Sequence, residues 1–282
     1  VSRSRTIEEH LGKLRELQSI IASMKTLSQL ELHKLGGIAA SQHALAASLQ
    51  RMAADFYHHY PQGEGVQDEG GTLWLLLGTE RGFCGDFNEA LAQRLPQLFA
   101  EVTAHPARVL AVGRKLWLRL EESLPGYTPL VGANVSEELS RSLAPVVNAI
   151  QQRMSEEGVT SLSVLYHDDE KGSLAVRRLL PPELPAGQAE WHTPPLLQLP
   201  PREFLHGFLQ HYLFLGLNEL FTVSLLAENQ YRVQHLEGAV HRLDERLGVL
   251  STRARSLRQE EITEEIEMIL LGSPLAVRPL GG

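Results

Sequence analysis

Three stretches carry residue types that could do chemistry. The first is Glu80-Arg81-Gly82-Phe83-Cys84-Gly85-Asp86-Phe87-Asn88, which follows a short apolar run and precedes a helical pattern. In a doubly wound sheet, phosphates meet backbone N–H groups at such a strand-to-helix turn. Its glycines fit neither G-x-G-x-x-G nor G-x-x-x-x-G-K-S/T. They equally serve a tight turn, with Asn88 as the helix cap, and the spacing favours this structural reading. Cys84 is the one cysteine of the chain. A thiolate at a helix N-terminus would be reactive, but no histidine is placed beside it, and a buried structural thiol fits better.

The second stretch is Glu228-Asn229-Gln230-Tyr231-Arg232, polar residues inside a long helical pattern. On a solvated face they do nothing particular; inside a helix pair, buried polar groups fix register. The third is a basic cluster, Arg253, Arg255 and Arg258 with Gln259, followed by Glu260, Glu261, Glu264, Glu265 and Glu267. Helical ion pairs on a solvated face explain it at a few tenths of a kcal/mol each; contacts to a surrounding partner are the sharper alternative. The twelve histidines are scattered, with His58-His59 at a helix end and His206 and His211 on an apolar helix. None has a zinc spacing, and no serine shows a nucleophile elbow. The sequence therefore predicts no catalytic constellation, no cofactor and no metal.

Two long helical patterns must position these stretches. From Phe204 to Leu271 no proline interrupts, and Leu236, Val240, Leu243, Leu247, Leu250, Ala254 and Leu257 recur at steps of four and three. That is a coiled-coil seam. Ile262, Ile266 and Ile269 are expected to continue it after a shift of one residue. Such a helix runs on the order of 100 Å, too long for a compact core. At the other end, Ile7, Leu11, Leu14, Leu17, Ile21, Met24 and Leu27, then Leu32, Leu35, Ile38, Leu45, Leu49, Met52 and Phe56, mark a helix over Thr6–His59. Thr6 is its expected N-cap, with Glu8 and Glu9 in the first turn. Gly36-Gly37 reads as a bend or a close crossing, not an end.

Between them, Pro61 to Gly71 reads as a turn-rich acidic linker. Thr72–Leu77, Arg108–Val112, Val159–Tyr166 and Leu174–Leu180 read as strands. Helices are expected over Glu89–Ala100, over Arg114–Glu122 and from Ser136. Pro181–Pro201 reads as an aperiodic surface connection. Alternating strands and helices predict an α/β domain with a mainly parallel sheet, its last strand antiparallel after the short Asp168–Gly172 turn. The fold expected is thus α/β, with a long antiparallel coiled coil of N- and C-terminal helices and an inserted Rossmann-like domain. Its divisions are residues 1–60, 72–180 and 201–271, with the first and last forming one discontinuous shaft.

Composition narrows the function. The chain has 282 residues, with 26 Lys and Arg against 34 Asp and Glu, a formal charge of −8. That balance argues against general nucleic-acid binding. A single cysteine permits no internal disulfide, and the N-terminus shows no signal-peptide pattern. The most apolar window, Phe204–Ala227, carries His206, Gln210, His211, Asn218 and Glu219, so it reads as a buried helix rather than a membrane span.

In layout and in three motifs the chain resembles the gamma subunit of F-type ATP synthases. Arg81-Gly82-Phe83-Cys84-Gly85-Asp86-Phe87-Asn88 is similar to that family's R-G-L-C-G-G-L-N. Glu228 and Arg232 match its glutamate followed four residues on by arginine. Arg258-Gln259-Glu260-Glu261-Ile262-Thr263-Glu264-Glu265 resembles R-Q-x-x-I-T-x-E, with Gly272 beyond it, and Met24 falls where the family has K-A-M. The departures are specific. Ser19–Met24 lacks the lysines of K-I-T-K-A-M, Val233–Leu236 lacks M-x-A-M, Met268 replaces an acid, and Gly272-Ser273-Pro274 replaces G-A. They mark a divergent member, one candidate being the subunit of a second, accessory F-type ATPase.

The resemblance implies a non-catalytic rotor shaft that couples ion translocation, of H+ or Na+, to ATP synthesis or hydrolysis. Its partners would be the alpha and beta subunits of the catalytic ring, the epsilon subunit and the c-ring, with one copy per complex. Met24, Arg258, Gln259, Thr263, Glu264 and Glu265 would meet the ring. The Arg81–Asn88 loop would be structural or contact the rotor base. In a bacterium the place would be peripheral, on the cytoplasmic side of the plasma membrane. Two other readings stand beside it: a nucleotide-binding α/β module on a coiled-coil dimerisation stalk, and a self-associating coiled-coil scaffold.

Overall fold

The computed structural model describes residues 3–60, 71–101, 108–121, 123–124, 126–156, 158–168, 172–182 and 193–272. The expected linker before Gly71 and most of the proline-rich connection lie outside these. The chain divides into two units: residues 1–26 with 236–282, and residues 27–235. Two helices span long stretches of sequence, α1 (Arg3–His59) and α5 (Pro201–Gly272). The first starts three residues before the expected N-cap, so Thr6 lies inside it and its first turn holds no acid. Gly36 and Gly37 sit exposed within α1. A Cβ on either would meet nothing within 4 Å, so the pair does not mark a close crossing.

In the first unit, α1 and α5 residues pair in opposite order. The Ser4 amide and hydroxyl donate to the Glu261 carboxylate at 3.1 and 2.7 Å, Gln18 donates to Asp244, and Lys25 donates to Glu237 at 2.7 Å. The covered positions of α1 here are Ser4, Ile7, Leu11, Leu14, Gln18, Ile21 and Lys25, with Met24 also half-buried. The three-four spacing is the expected one, but Gln18 and Lys25 hold the places assigned to Leu17 and Met24, and Leu17 and Leu27 are 50% and 63% exposed. From these places Gln18 and Lys25 each reach a carboxylate of α5, exposed contacts worth at most about 1 kcal/mol each. On α5 the expected seam from Leu236 to Leu257 is covered throughout. It then continues to Glu261, held by Ser4, and not to Ile262, Ile266 and Ile269, which are exposed.

In the second unit the same spacing continues through Ser28, Leu32, Leu35, Ala39, Gln42, Ala46, Leu49, Ala53 and Phe56. Ile38, Leu45 and Met52, expected in the seam, are exposed. Alanines stand beside the bulky aromatic side of α5, with Ala53 packed on Phe208 and Tyr212. Small residues admit large neighbours, so the apolar pattern of α1 alone misplaces the stripe.

This unit also holds five strands: β1 (Thr72–Leu77), β2 (Val109–Val112), β3 (Thr128–Leu130), β4 (Ser161–Asp168) and β5 (Ser173–Leu180). Their order is β3-β2-β1-β4-β5, all parallel except the last pair. The edge strand β3 has no sequence signal; three residues with Pro129 at the centre acquire strand geometry only by pairing with β2. The helices between are α2 (Phe87–Glu101), α3 (Arg114–Leu120) and α4 (Leu139–Glu156), the last entered through a 3-10 turn at Ser136–Glu138. Strand β1 is buried on both faces, as its unbroken apolar run predicts. Leu73, Leu75 and Leu77 pack with α1, α4 and α5, whereas Trp74 and Leu76 pack with α2 and α3.

Candidate functional site

The end of β1 fixes the loop that follows. Gly78 donates to Val112 O at 3.0 Å, and Gly113, at the end of β2, donates to Leu130 O at 2.9 Å. A Cβ on Gly113 would stand 2.7 Å from Thr79 O, and its φ is +104°. The two strand ends therefore approach backbone to backbone, which requires glycine. Beyond them, Thr79 N–H donates to Asn88 Oδ1 at 3.0 Å, and Asn88 Nδ2 donates to Thr79 Oγ1 at 2.8 Å. Asn88 thus clasps strand to helix and does not cap α2, whose first turn is closed by Ala90 N–H on Asp86 O at 2.9 Å.

Glu80 is buried and accepts from Gly132 N–H at 3.0 Å and Arg114 N–H at 3.2 Å. Its other oxygen pairs with Arg114 Nε at 2.9 Å. It holds α3 and the chain after β3 to the loop. Arg81 donates to Asn134 Oδ1 at 3.0 Å. Phe83 is 51% exposed and sits at φ +66°, a left-handed conformation costly for a bulky residue. Cys84 is buried against Gly82 O at 3.4 Å. Burial, and then the nearby Glu228 charge, push its thiol up to about 12, offset by Arg232. The thiol is the inert, structural kind.

The second stretch packs onto this loop. Arg232 donates to Gly82 O at 3.2 Å, to Asn229 Oδ1 at 3.0 Å, and to Glu228 Oε1. The Glu228 and Arg232 side chains are only 5% and 6% exposed. Burial pushes the Glu228 carboxyl up to about 7, against the pull of Arg232. One and two turns earlier on α5, Ser224 and Phe221 stand with Glu228 over the C-terminal ends of β1 and β2, leaving a cavity of about 20 Å³. Nucleotides bind doubly wound folds at that end of the sheet, in pockets of roughly 300 Å³ or more. Here α5 side chains occupy it, and the remaining space suits about one water.

The third stretch lies on α5 in the other unit. Arg258 reaches Glu8 at 3.6 Å, with both side chains largely exposed. Gln259, Thr263, Glu264 and Glu265 are exposed, and Thr263 Oγ1 donates to Gln259 O at 2.9 Å. Arg81–Asn88 and Glu228–Arg232 therefore form one centre, and Arg258–Glu265 is a separate helical face.

Sequence reasoning missed two buried polar centres. Glu219 takes His43 Nδ1 at 2.9 Å and Arg177 at 2.5 Å; its only sequence signal is an acid in a dense apolar run. His167 Nε2 donates to Phe87 O at 2.9 Å and its ring stacks on Phe87 at 3.8 Å, tying the start of α2 to β4. Among the described residues no group of three or more His, Cys, Asp or Glu could hold a metal, and no helix is long and apolar enough to cross a membrane.

A family model described as ATP synthase matches residues 3–274. The ATP synthase gamma chain of Campylobacter lari is 21% identical over 294 residues, covering 96% of this chain and 98% of the relative. That of Akkermansia muciniphila is 26% identical over 289 residues, covering 91% and 96%. Among solved structures, the rotor of Euglena gracilis mitochondrial ATP synthase aligns with a TM-score of 0.64 at 16% identity, over 92% of this chain and 98% of its own. The OSCP/F1/c-ring assembly from the same organism gives 0.59 at 15%, over 99% of both. At these identities the structures show likeness of fold.

Proposed function

The chain belongs to the ATP synthase gamma family, and from that premise we propose that it is the central rotor shaft of an F-type ATP synthase. It couples ion flow through a membrane sector to ATP synthesis or hydrolysis in a surrounding catalytic ring, and itself performs no bond chemistry. The observation that carries this is the family match over nearly the whole chain. We further propose that α1 and α5 form an antiparallel coiled coil, and the three-four spacing of covered positions with the opposed polar pairs supports it. A coiled coil gives the stiffness that torque requires.

Met24, Arg258, Gln259, Thr263, Glu264 and Glu265 meet the alpha–beta ring in this reading. Exposed apolar side chains at the end of α5, Ile262, Ile266, Ile269 and Leu270, favour a surrounding sleeve there. The inserted α/β domain meets the epsilon subunit and the c-ring, with one copy of the chain per complex, peripheral to the membrane. Co-expression with alpha and beta subunits, followed by native mass spectrometry, tests it. The expected product is a ring holding one copy of this chain. A homodimer that ignores the ring subunits would overturn the proposal and favour a coiled-coil scaffold.

A further inference from the structure

Glu228 and Arg232 lie one helical turn apart on α5, buried as a pair against the loop between β1 and α2. Arg232 is the joint: the same guanidinium that holds Glu228 also holds the Gly82 carbonyl, at 3.2 Å. Beside the carboxyl is the cavity of about 20 Å³, with Ser224 on its wall. That is enough room for about one water able to hand over a proton.

We propose that the Glu228–Arg232 pair is a proton-operated latch that fastens α5 to the Arg81–Gly85 loop and loosens when Glu228 takes up a proton. A protonated Glu228 no longer neutralises Arg232, and a buried guanidinium without a counter-charge is costly to keep in place. Arg232 then turns toward water and releases Gly82. The facing charges set the working range. From α5 there is Arg232; from the loop, Glu80 raises the carboxyl and Arg81 lowers it. Cys84 sits beside Arg232. The strand ends and the start of α4 bring the apolar Leu77, Val112 and Leu139.

The ordinary value for this carboxyl is 4.5, and the folded chain holds it near 7. The stability it contributes is therefore full below 4.5 and lost as pH rises through about 7. Opening below 7 is local: Glu228 stays buried while Arg232 leaves, and without the guanidinium that lowers it the carboxyl holds its proton more tightly in the open form than in the closed pair.

Cys84, the sole cysteine, is a built-in reporter of that loop. Alkylation of Cys84 in the full chain is measured from pH 6 to 8 and divided by the rate of a simple thiol of high pKa. Both thiols gain about tenfold in thiolate per pH unit in that range. The Glu228 charge also acts on the Cys84 thiol directly, so hydrogen exchange of the Gly82–Gly85 amides, normalised to unfolded-peptide rates, is followed over the same pH series. A ratio that changes without it overturns the latch. The ratio is expected to fall several-fold as pH rises through 7. Glu228→Gln should react at the wild-type acidic ratio at every pH. A flat wild-type ratio, or an unchanged dependence in Glu228→Gln, would overturn the latch. Should the variant fail to fold, carbon NMR of glutamate-labelled wild type decides. A carboxyl titrating between pH 6 and 8 together with the Gly82–Gly85 amides supports the latch, and its absence excludes it.

Discussion

Arg258 and Glu8 stand 3.6 Å apart with side chains 70% and 53% exposed, and such a pair contributes at most about 1 kcal/mol. Gln259 is exposed beside it. The Arg258–Glu8 pair thus holds the fold only weakly, and contacts outside the chain are the role that substitution tests. A guanidinium can make bidentate, charge-assisted bonds to a carboxylate, and such a bond made at one rotary angle and broken at another would affect coupling. Arg258→Ala with Gln259→Ala is expected to leave folding and incorporation intact while changing ATPase rate or ATP-driven ion transport in the reconstituted complex. Equal turnover and transport at equal subunit content would remove both residues from the mechanism.

The long helices carry their information in spacing, and spacing alone left one ambiguity. In α1 the apolar residues fall on two neighbouring stripes, and the covered stripe includes Gln18, Lys25 and Ser28 in place of Leu17, Met24 and Leu27. The isolated chain distinguishes the two. Leu14→Ala, at a covered position, should cost about 2–3 kcal/mol, the low end for a buried leucine. Leu17→Ala, half exposed, should stay within about 0.5 kcal/mol of wild type. Urea unfolding of both variants reads the difference; equal losses would put Leu17 in the seam and refute the assignment.

For the whole molecule, the question is whether an α/β domain with a doubly wound sheet still binds a nucleotide. The side chains of Phe221, Ser224 and Glu228 stand at the C-terminal ends of its strands, and the cavity left is about 20 Å³. Calorimetry of the chain alone with ATP or NAD is expected to show no heat of binding. Micromolar binding abolished by Gly82→Val would place a nucleotide on the loop and revive the alternative of a binding module on a stalk.

The sequence by itself determined the order of every main element but β3, the unbroken lengths of α1 and α5, the mainly parallel sheet with its antiparallel last strand, and the three motifs. Those properties are local: a 3.6-residue period, an apolar run between glycines, a capless stretch without proline. Tertiary structure alone decided that Glu228 and Arg232 meet the Gly82 carbonyl, that Asn88 clasps Thr79, that Glu219 gathers His43 and Arg177, and that β3 is a strand. Each depends on a partner beyond the reach of the local period, nine residues away for Asn88 and Thr79 and more for the rest. A polar side chain reveals its role only when burial removes water and leaves one neighbour to satisfy it.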